Sequence, residues 1–290
     1  MLEALSKLIG NLESNSSLYE PNQLCERIEA LDRLDAFNLE MLPPVTDSFA
    51  AAMYRRARAI QEELETANFE VYEAIRRDIR LGRGGRALLP SVSGSAEAEG
   101  LLDIGKGDGY DYLDELVAGI LRFEDPGTAI TQAVAGMVFY QPTPVRHIFD
   151  LFDRIALKDD DVLVDLGSGL GHVPLLTSIC TKTRSVGVEV EQVYVEIAQQ
   201  IAETLNLKRV TFLKQDAREA DLTKGTVFYL YTPFTGKMLR TVLDSLRFEG
   251  ATRAIRVCTF GPCTITVANE GWLESTGTPG GDRICIFRSR

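Results

Sequence analysis

The spacing of apolar residues changes character near the middle of this chain. In the first half, apolar side chains recur at the three- and four-residue intervals of one helix face, at Phe49, Met53, Ile60, Leu64, Val71, Ile75 and Ile79. Beyond about residue 160, short runs of β-branched and aromatic residues alternate with helical segments. The pattern therefore predicts a helical N-terminal region followed by an α/β region.

The long helix predicted by the apolar stripe has signals at both ends. Residues 46–48 (Thr-Asp-Ser) supply side chains that cap helices, and residues 82–85 contain three glycines, which favour helix termination. Residues 82–110 are rich in Gly and Ser and predict a long surface loop. Further helices are predicted at 112–122 and 145–152.

Five short strands are predicted, at residues 161–165, 185–189, 210–213, 226–231 and 254–258. Helices separate them, including one at 237–246, so the strands should form a parallel sheet covered on both faces. Residues 264–268 and 283–287 also have β-rich composition, with no helix predicted between them. They predict an antiparallel hairpin at the edge of the sheet.

Composition limits the kinds of protein that this chain can be. Its 290 residues fit a catalytic domain with a smaller appendage, and we place the boundary between residues 1–135 and 136–290. Five scattered cysteines without a CxxC pair predict reduced thiols in a cytoplasmic protein. Two distant histidines argue against a metal site. Neither a secretion signal nor a membrane-spanning apolar run is evident.

The net charge of −11 lowers the expectation of a nucleic-acid partner. Nucleic-acid binding depends on clustered Lys and Arg that neutralise phosphates. The arginines between residues 76 and 86 are the counter-argument, because five of them fall in eleven residues. We nevertheless predict that duplex DNA and structured RNA are not the substrate.

A glycine-rich turn follows the first predicted strand and supplies the main candidate for a binding site. It contains Gly167, Ser168, Gly169 and Gly171, with Asp165 two residues before the first glycine. Glycines between a strand and a helix let a ligand approach the backbone closely. The spacing differs from the GxGxxG of dinucleotide enzymes, and Asp165 can receive an ammonium group but would repel a pyrophosphate. A cofactor with a cationic amine is therefore predicted.

Acidic residues also follow the next two strands. Glu189 ends the second strand, where its carboxylate can accept hydrogen bonds from both hydroxyls of a ribose. Glu191 is the competing candidate, but it begins the next helix and is suited to the positive end of that helix. Gln215 and Asp216 follow the third strand, and Asp216 can accept from an adenine amine.

These residues together resemble the class I methyltransferases that use S-adenosylmethionine (SAM). The matching segments are residues 164–171, 187–189 and 215–216, within a resemblance that covers about residues 137–290. The resemblance implies a Rossmann-like seven-stranded sheet whose last strand is antiparallel, with SAM as cofactor and S-adenosylhomocysteine as product. It implies an enzyme that methylates N or O of a protein or small-molecule acceptor.

A narrower resemblance points to the non-SET lysine methyltransferases of the disruptor-of-silencing type. That family has a Tyr-x-x-Thr loop contacting the methionine part of SAM, and Tyr140 and Thr143 match it at both ends. The alternative is that residues 140–144 merely form the bend that opens the next helix. The family also has an Asn-rich loop after the fourth strand. This chain has Tyr231, Thr232, Pro233 and Phe234 there, without asparagine, so the substrate does not follow from the resemblance.

Several roles stay open at this level. Tyr231 and Thr232 are candidate catalytic residues that could orient the acceptor, and Tyr231 is also a candidate cofactor contact. Phe234 could wall the site, or else Tyr231 and Phe234 merely pack the strand end. His172 could act as a base or simply occupy the first helical turn. A nucleic-acid (rRNA or DNA) methyltransferase and a non-catalytic SAM-binding protein are the alternative functions, and a dehydrogenase is disfavoured by Asp165. The N-terminal helices are expected to cap the cofactor site and select the substrate, or else to form a homodimer.

Overall fold

A computed structural model describes residues 1–37, 48–88, 111–126 and 140–290. In chain order the helices are α1 (Leu2–Glu13), α2 (Leu24–Asp35), α3 (Ser48–Arg80), α4 (Gly84–Leu88), α5 (Tyr112–Leu121), α6 (Val145–Ile155), α7 (His172–Cys180), α8 (Gln192–Thr204), α9 (Gly236–Thr252) and α10 (Cys263–Ala268). The strands are β1 (Val162–Leu166), β2 (Arg184–Glu189), β3 (Val210–Lys214), β4 (Val227–Tyr231), β5 (Arg256–Phe260), β6 (Leu273–Ser275) and β7 (Cys285–Ser289).

The seven strands form one sheet in the order β3-β2-β1-β4-β5-β7-β6. Strands β1 to β5 run parallel, and β7 runs antiparallel to both of its neighbours, β5 and β6. The chain leaves β1 for β2 on one side and later returns to β4 on the other side. This reversal creates a crevice at the carboxyl end of β1, which is where open α/β sheets bind their ligands.

Alternate residues of the central strands enter separate hydrophobic cores on the two faces of the sheet. Leu163, Val227 and Tyr229 belong to a core that also includes residues of α6, α7 and α8. Val164 and Phe228 belong to a second core with residues of α9 and α10. This two-residue alternation of strands, covered by helices on both faces, confirms the predicted α/β class.

The N-terminal helices divide between two hydrophobic clusters. Residues of α2, α3 and α5 are part of the same core as α6 to α8, on one face of the sheet. The first half of α3 packs instead against α1 and α2 in a separate cluster. The apolar stripe of α3 is therefore covered by helices of its own chain, which removes the apolar face that a dimerisation arm would need. The predicted boundary at 135/136 lies outside the described residues.

The predicted long helix is confirmed as α3, but one member of its stripe was assigned wrongly. Phe49 is 59% exposed, whereas Met53, Ile60, Leu64, Ile75 and Ile79 are buried. The predicted loop at 82–110 is also interrupted by α4, whose Gly84 packs closely against Ile79 and Ile179. A side chain at residue 84 would leave no room for this approach, so its glycine serves helix packing. Residues 89–110 lie outside the described part.

The prediction of a strand at residues 264–268 is wrong, because these residues form helix α10. Their β-branched side chains favour a strand, but Cys263, Thr264 and Val267 are buried at helical spacing while Ile265 is exposed. Tertiary packing against β5 overrides the local propensity here. The antiparallel edge pair is confirmed, with Leu273–Ser275 as the first strand in place of 264–268.

None of the helices that the structure describes combines the length and the apolar character needed to cross a membrane.

Candidate cofactor site and acceptor face

The predicted glycine turn lies in the crevice at the carboxyl end of β1. The backbone N–H groups of Gly167 and Ser168 donate to the carbonyl of Val188 in β2, at 2.9 and 3.1 Å. Gly171 N–H donates to the carbonyl of Ser168, which closes the turn before α7 begins. The turn is therefore fastened to β2, next to the end of the strand that carries Glu189.

The first two glycines of the turn are required by protein side chains that approach them. Gly167 has φ +86°, and a Cβ there would lie 2.3 Å from Cβ of Pro233 in the loop after β4. Gly169 has φ +52°, and a Cβ there would lie 2.1 Å from the ring of Tyr140. A side chain would be strained at both positions and would collide with a neighbour. The glycines thus let the β4 loop and the Tyr140 loop pack directly on the turn.

Asp165 is the penultimate residue of β1 and is 4% exposed. Burial and the neighbouring Glu189 raise the pKa of its carboxyl group well above the usual value. Among the described residues, no hydrogen-bond donor contacts this carboxylate. A buried acid without a donor is costly, so its position calls for a cationic partner.

The hydroxyl of Ser168 is a second buried polar group in the turn that has no partner among the described residues. Ser168 Oγ and the Asp165 carboxylate therefore offer unused hydrogen-bonding capacity at the same end of β1. An amino acid moiety carries an ammonium and a carboxylate, which suit an acid and a hydroxyl respectively. The residues present thus fit the methionine part of SAM.

Glu189 holds the glycine turn in addition to facing the crevice. One oxygen of its carboxylate accepts from Gly169 N–H at 2.8 Å. The other accepts from the N–H groups of Val190 and Glu191 at 2.7 and 2.9 Å. Burial raises the pKa of Glu189, and these three donors act against that rise. The oxygen that accepts from Gly169 alone retains a lone pair for a ribose hydroxyl, which is the kind of contact predicted for Glu189.

The competing residue Glu191 takes the position predicted for it. It is the N-cap residue of α8, although its side chain makes no capping hydrogen bond. Among the two acids, Glu189 is the one whose carboxylate contacts the turn. The geometry therefore favours Glu189 as the ribose ligand.

Gln215 and Asp216 lie after β3 on the same edge of the sheet, and both make local hydrogen bonds. Gln215 N–H donates to the carbonyl of Glu189, and its side-chain amide donates to the carbonyl of Glu219. The carboxylate of Asp216 accepts from Arg218 N–H and from the Arg218 guanidinium. The side-chain contact with Arg218 is the main cause that lowers the pKa of Asp216. Asp216 is thus held as an ionised acceptor.

Tyr140 belongs to an aromatic cluster that covers the glycine turn. Its hydroxyl lies 3.1 Å from Nδ1 of His172, and its ring packs at 5.1 Å from the ring of Tyr194. His172 stacks on Phe123 with ring centroids 4.2 Å apart. Burial of the imidazole lowers the pKa of His172 to about 4. His172 is therefore neutral near pH 7 and positions Tyr140 at the start of α7.

Thr143 and Tyr229 connect the Tyr140 loop to the centre of the sheet. Their hydroxyl oxygens lie 3.0 Å apart, and both residues are buried. The hydrogen bond explains why a threonine belongs at the second matching position of the Tyr-x-x-Thr loop. Thr143 anchors the loop, whereas Tyr140 is exposed on its outer side.

The two candidate catalytic residues lie in different surroundings. Thr232 has φ +39°, its Oγ donates to the carbonyl of Phe260 at 3.2 Å, and it accepts from Cys263 N–H at 3.0 Å. Its hydroxyl therefore joins the β4 and β5 loops and is not available to an acceptor. The half-buried Tyr231 packs on Phe260 with ring centroids 4.8 Å apart.

An aromatic face lies beyond the glycine turn, at the carboxyl ends of β4 and β5. Phe260 contacts Tyr231 on one side and His147 on the other, with a ring distance of 4.3 Å to His147. Asp114, on α5, accepts from Val145 N–H at the start of α6, beside His147. Burial raises the pKa of Asp114 to about 6. We call Tyr231, Phe260 and His147 the acceptor face.

Several residues that shape this site carry no local sequence signal. Tyr194, Phe123, Phe260 and His147 were not singled out, since each lies in an apolar or helical run without a local motif. Pro233 was noted as part of the β4 loop, but its packing on Gly167 depends on tertiary structure. The glycine at 167 and the proline at 233 are 66 residues apart in the sequence.

We expect Glu189→Gln to weaken SAM binding by roughly ten- to a hundredfold. The substitution removes the charge from a hydrogen bond worth about 1.5–3 kcal/mol. It also turns an amide N–H toward either Gly169 N–H or the Val190 and Glu191 donors, which loosens the turn. Titration calorimetry with SAM measures the change, and Glu203→Gln on the exposed side of α8 is the control. Unchanged affinity would move the ribose role to Glu191.

Comparison with known proteins supports the identity of this site. Residues 133–229 match the model of a protein family described as "Histone methylation protein DOT1". In the curated relative "Histone-lysine N-methyltransferase, H3 lysine-79 specific" from Caenorhabditis elegans, 64 residues match with 38% identity. This match covers 22% of the chain and 7% of that relative. The chain thus spans a small part of the length of the curated relative.

Solved structures similar to this chain include three methyltransferases. An RNA methyltransferase from Salinibacter ruber in complex with S-adenosyl-L-homocysteine has 21% identity over 51% of this chain and 92% of its own, with a TM-score of 0.42. Precorrin-6y C5,15-methyltransferase from Geobacter metallireducens has 18% identity over 58% and 94%, with a TM-score of 0.40. A human methyltransferase 10 domain containing protein has 14% identity over 60% and 92%, with a TM-score of 0.40.

The segment that matches the family contains every residue of the predicted cofactor site up to Tyr229. The predicted resemblance to SAM-dependent methyltransferases, and the narrower resemblance to the disruptor-of-silencing type, are thereby confirmed. Tyr231 and Thr232 lie just beyond the matched segment. The loop after β4 therefore lies outside the part of the chain that matches the family model.

Proposed function

We propose that this chain transfers the methyl group of SAM to the side-chain amine of a lysine in a protein. The observation that carries the cofactor assignment is the buried Asp165 carboxylate, which faces the crevice without a donor among the described residues. The protein acceptor is supported by the family match and by the lysine methyltransferase activity that the name of the curated relative states.

The chain's residues would divide the cofactor between them. Asp165 would receive the ammonium and Ser168 Oγ the carboxylate of the methionine part. Glu189 would accept from the ribose hydroxyls, and Asp216 from the adenine amine. SAM supplies a methyl group made electrophilic by its positively charged sulfur. The Tyr140 ring, fixed by His172 and Tyr194, would shield this side of the site from water.

The acceptor face provides the environment that a lysine side chain needs. Its aliphatic stem can pack on the half-buried ring of Tyr231, which the buried rings of Phe260 and His147 support, and an ammonium is attracted to an aromatic ring. Transfer requires the neutral amine, whose lone pair forms the new N–C bond while the S–C bond breaks. The product is a methylammonium that loses its proton to water. Thr232 contributes by holding the β4 loop to Phe260 and Cys263.

We expect SAM binding to release protons at pH values around and below the raised pKa of Asp165. Burial raises the pKa values of both Asp165 and Glu189 in the free protein, and the charge of Glu189 adds to the rise at Asp165. The arriving ammonium favours the ionised carboxylates and lowers these pKa values, so protons leave on binding. Affinity should therefore rise with pH below the raised pKa values. In calorimetry, the binding enthalpy should be more negative in Tris than in phosphate, because Tris takes up protons exothermically.

The variant that tests this linkage is Asp165→Asn, which cannot ionise at that position. The enthalpy of SAM binding to this variant should differ less between Tris and phosphate than the enthalpy of binding to the unaltered protein does. Equal enthalpies in both buffers for the unaltered protein would contradict the raised pKa values.

The decisive test of the function is methyl transfer from labelled SAM to defined acceptor pools. Core histones, a second pool of histones with chemically dimethylated lysines, total RNA and duplex DNA are compared under identical conditions. The proposal expects label in the unmodified histones and little in the dimethylated pool. Label in RNA or DNA would establish the nucleic-acid alternative. SAM binding without transfer to any pool would favour a non-catalytic SAM-binding protein.

A further inference from the structure

A large groove opens at the amino ends of β1, β2 and β3, whereas the candidate cofactor site lies at the carboxyl ends of these strands. It has a volume of about 1090 Å³ and lies between the ends of α3, α6 and α7, helix α4 and the connection from α8 to β3. This volume is at the upper limit of pockets that hold small molecules, so the groove can hold part of a polymer chain. Helix α7 begins at the glycine turn and ends at the groove, a length of about 13 Å for its nine residues.

The groove is strongly basic in a chain that is acidic as a whole. Among the described residues, its lining includes the six cations Arg80, Arg83, Arg86, Lys182, Lys208 and Arg209 and the one acid Asp153. The net charge of the chain is −11. The described lining thus carries an excess of positive charge, which will attract an anionic partner.

Most of these cations have no acidic partner within the described part of the chain. Arg83 pairs with Asp78 at 2.7 Å, and Arg80 lies 3.6 Å from Glu73. Arg86, Lys182, Lys208 and Arg209 are exposed and form no ion pair with a described residue. These four side chains do not contribute to the fold through ion pairs, so their charges are available to a ligand.

The floor of the groove is apolar. Ile179 and Phe152 are buried beneath it, Leu207 is half-buried, and Leu81 is 61% exposed at its edge. An apolar floor with a basic rim is complementary to a segment that carries both acidic and apolar side chains. A nucleic-acid backbone would use the rim but would gain little from the exposed leucine.

We propose that this groove binds an acidic, amphipathic segment of a partner protein. The acidic side chains would contact the rim residues Lys182, Lys208 and Arg209, and an apolar side chain would cover Leu81. The groove lies at the amino ends of the strands, whereas Asp165 lies near the carboxyl end of β1. A bound segment would therefore not compete with SAM. The inference stands on this surface alone and holds whichever acceptor the enzyme methylates.

Three fluorescent probes test the proposal by anisotropy with the full chain. They are a helical peptide of Glu with Leu at helical spacing, a polyglutamate peptide of equal length, and a duplex DNA oligonucleotide. The proposal expects the Glu/Leu peptide to bind most tightly, with an affinity that falls as salt is added. Tighter binding of DNA would assign the groove to nucleic acid, and absence of peptide binding at low salt would overturn the proposal.

Charge reversal locates the binding on the groove. Lys182→Glu, Lys208→Glu and Arg209→Glu combined should weaken Glu/Leu peptide binding about tenfold or more, since each exposed ion pair contributes modestly. The matched control reverses Arg33, Lys224 and Arg247, which are exposed cations outside the groove.

The apolar contact is tested by Leu81→Ala, which should weaken binding of the Glu/Leu peptide but leave binding of polyglutamate unchanged. SAM affinity should be unaffected in every variant, which shows that each folds. Equal losses in the two triple variants would overturn the assignment to the groove.

Discussion

Asp165→Asn is expected to weaken SAM binding by about thirtyfold or more while making the free protein more stable. Loss of one partner from a buried charged pair costs about 2–5 kcal/mol, and the buried Asp165 carboxylate is the group suited to the ammonium of SAM. In the free protein, by contrast, the Asp165 carboxylate is buried without contact to a described hydrogen-bond donor. Removing its charge relieves a desolvation cost.

The stability gain should depend on pH in a defined direction. Because burial raises the pKa of Asp165 in the folded state, the unaltered protein loses stability as pH rises above the unfolded value of about 3.9. The loss is complete once the pH exceeds the raised folded pKa. Asp165→Asn lacks this loss, so the difference in melting temperature should grow from acidic to neutral pH.

Thermal denaturation across this pH range and calorimetry with SAM measure the two effects separately. Asp221→Asn is the control, because Asp221 is an exposed acid that accepts a hydrogen bond from Thr223. It should leave SAM affinity unchanged and should not raise the melting temperature. A loss of both stability and binding in Asp165→Asn would mean that Asp165 supports the fold and is not held ready for a ligand.

The proximity of the candidate cofactor residues was predictable because they follow consecutive strand ends. Parallel strands bring their carboxyl ends to one edge of the sheet, so order in the sequence becomes proximity in space. Asp165, Glu189 and Asp216 could therefore be assigned from spacing and chemistry. What sequence could not show was that Glu189 also accepts from Gly169 N–H, because that contact depends on the path of the turn.

The acceptor side was less predictable because its residues come from distant elements. His147 on α6 meets Phe260 at the end of β5, and Thr143 meets Tyr229 across 86 residues. Thr232 looked suited to orienting a substrate, yet its hydroxyl bonds to two backbone groups of the β5 loop. Local composition also failed at α10, where β-branched residues form a helix because Cys263, Thr264 and Val267 pack inward.

Gly167→Ala is expected to destabilise the protein through both backbone strain and a collision with Pro233. The residue has φ +86°, where an added Cβ costs roughly 1–2 kcal/mol. That Cβ would also lie 2.3 Å from Cβ of Pro233, and relieving such an overlap typically costs about 1–3 kcal/mol. The free energy of unfolding should therefore fall by about 2–5 kcal/mol.

The effect of Gly167→Ala on methyl transfer should exceed its effect on SAM binding. Pro233 belongs to the loop that carries Tyr231 and Thr232, so a clash at Gly167 pushes the acceptor face away from the cofactor turn. A displacement of about 1 Å can reduce the rate roughly a hundredfold. Steady-state kinetics should show a lower kcat with a smaller change in the affinity for SAM.

Gly82→Ala separates the two causes, because Gly82 has φ +74° but no atom within 4 Å of an added Cβ. Gly82→Ala should lower the free energy of unfolding by about 1–2 kcal/mol, which is the backbone cost alone. Methyl transfer by the folded variant should be unchanged. The difference between the two variants in chemical denaturation then measures the collision with Pro233. If Gly167→Ala and Gly82→Ala lose the same stability and both keep full activity, Pro233 does not couple the acceptor loop to the turn.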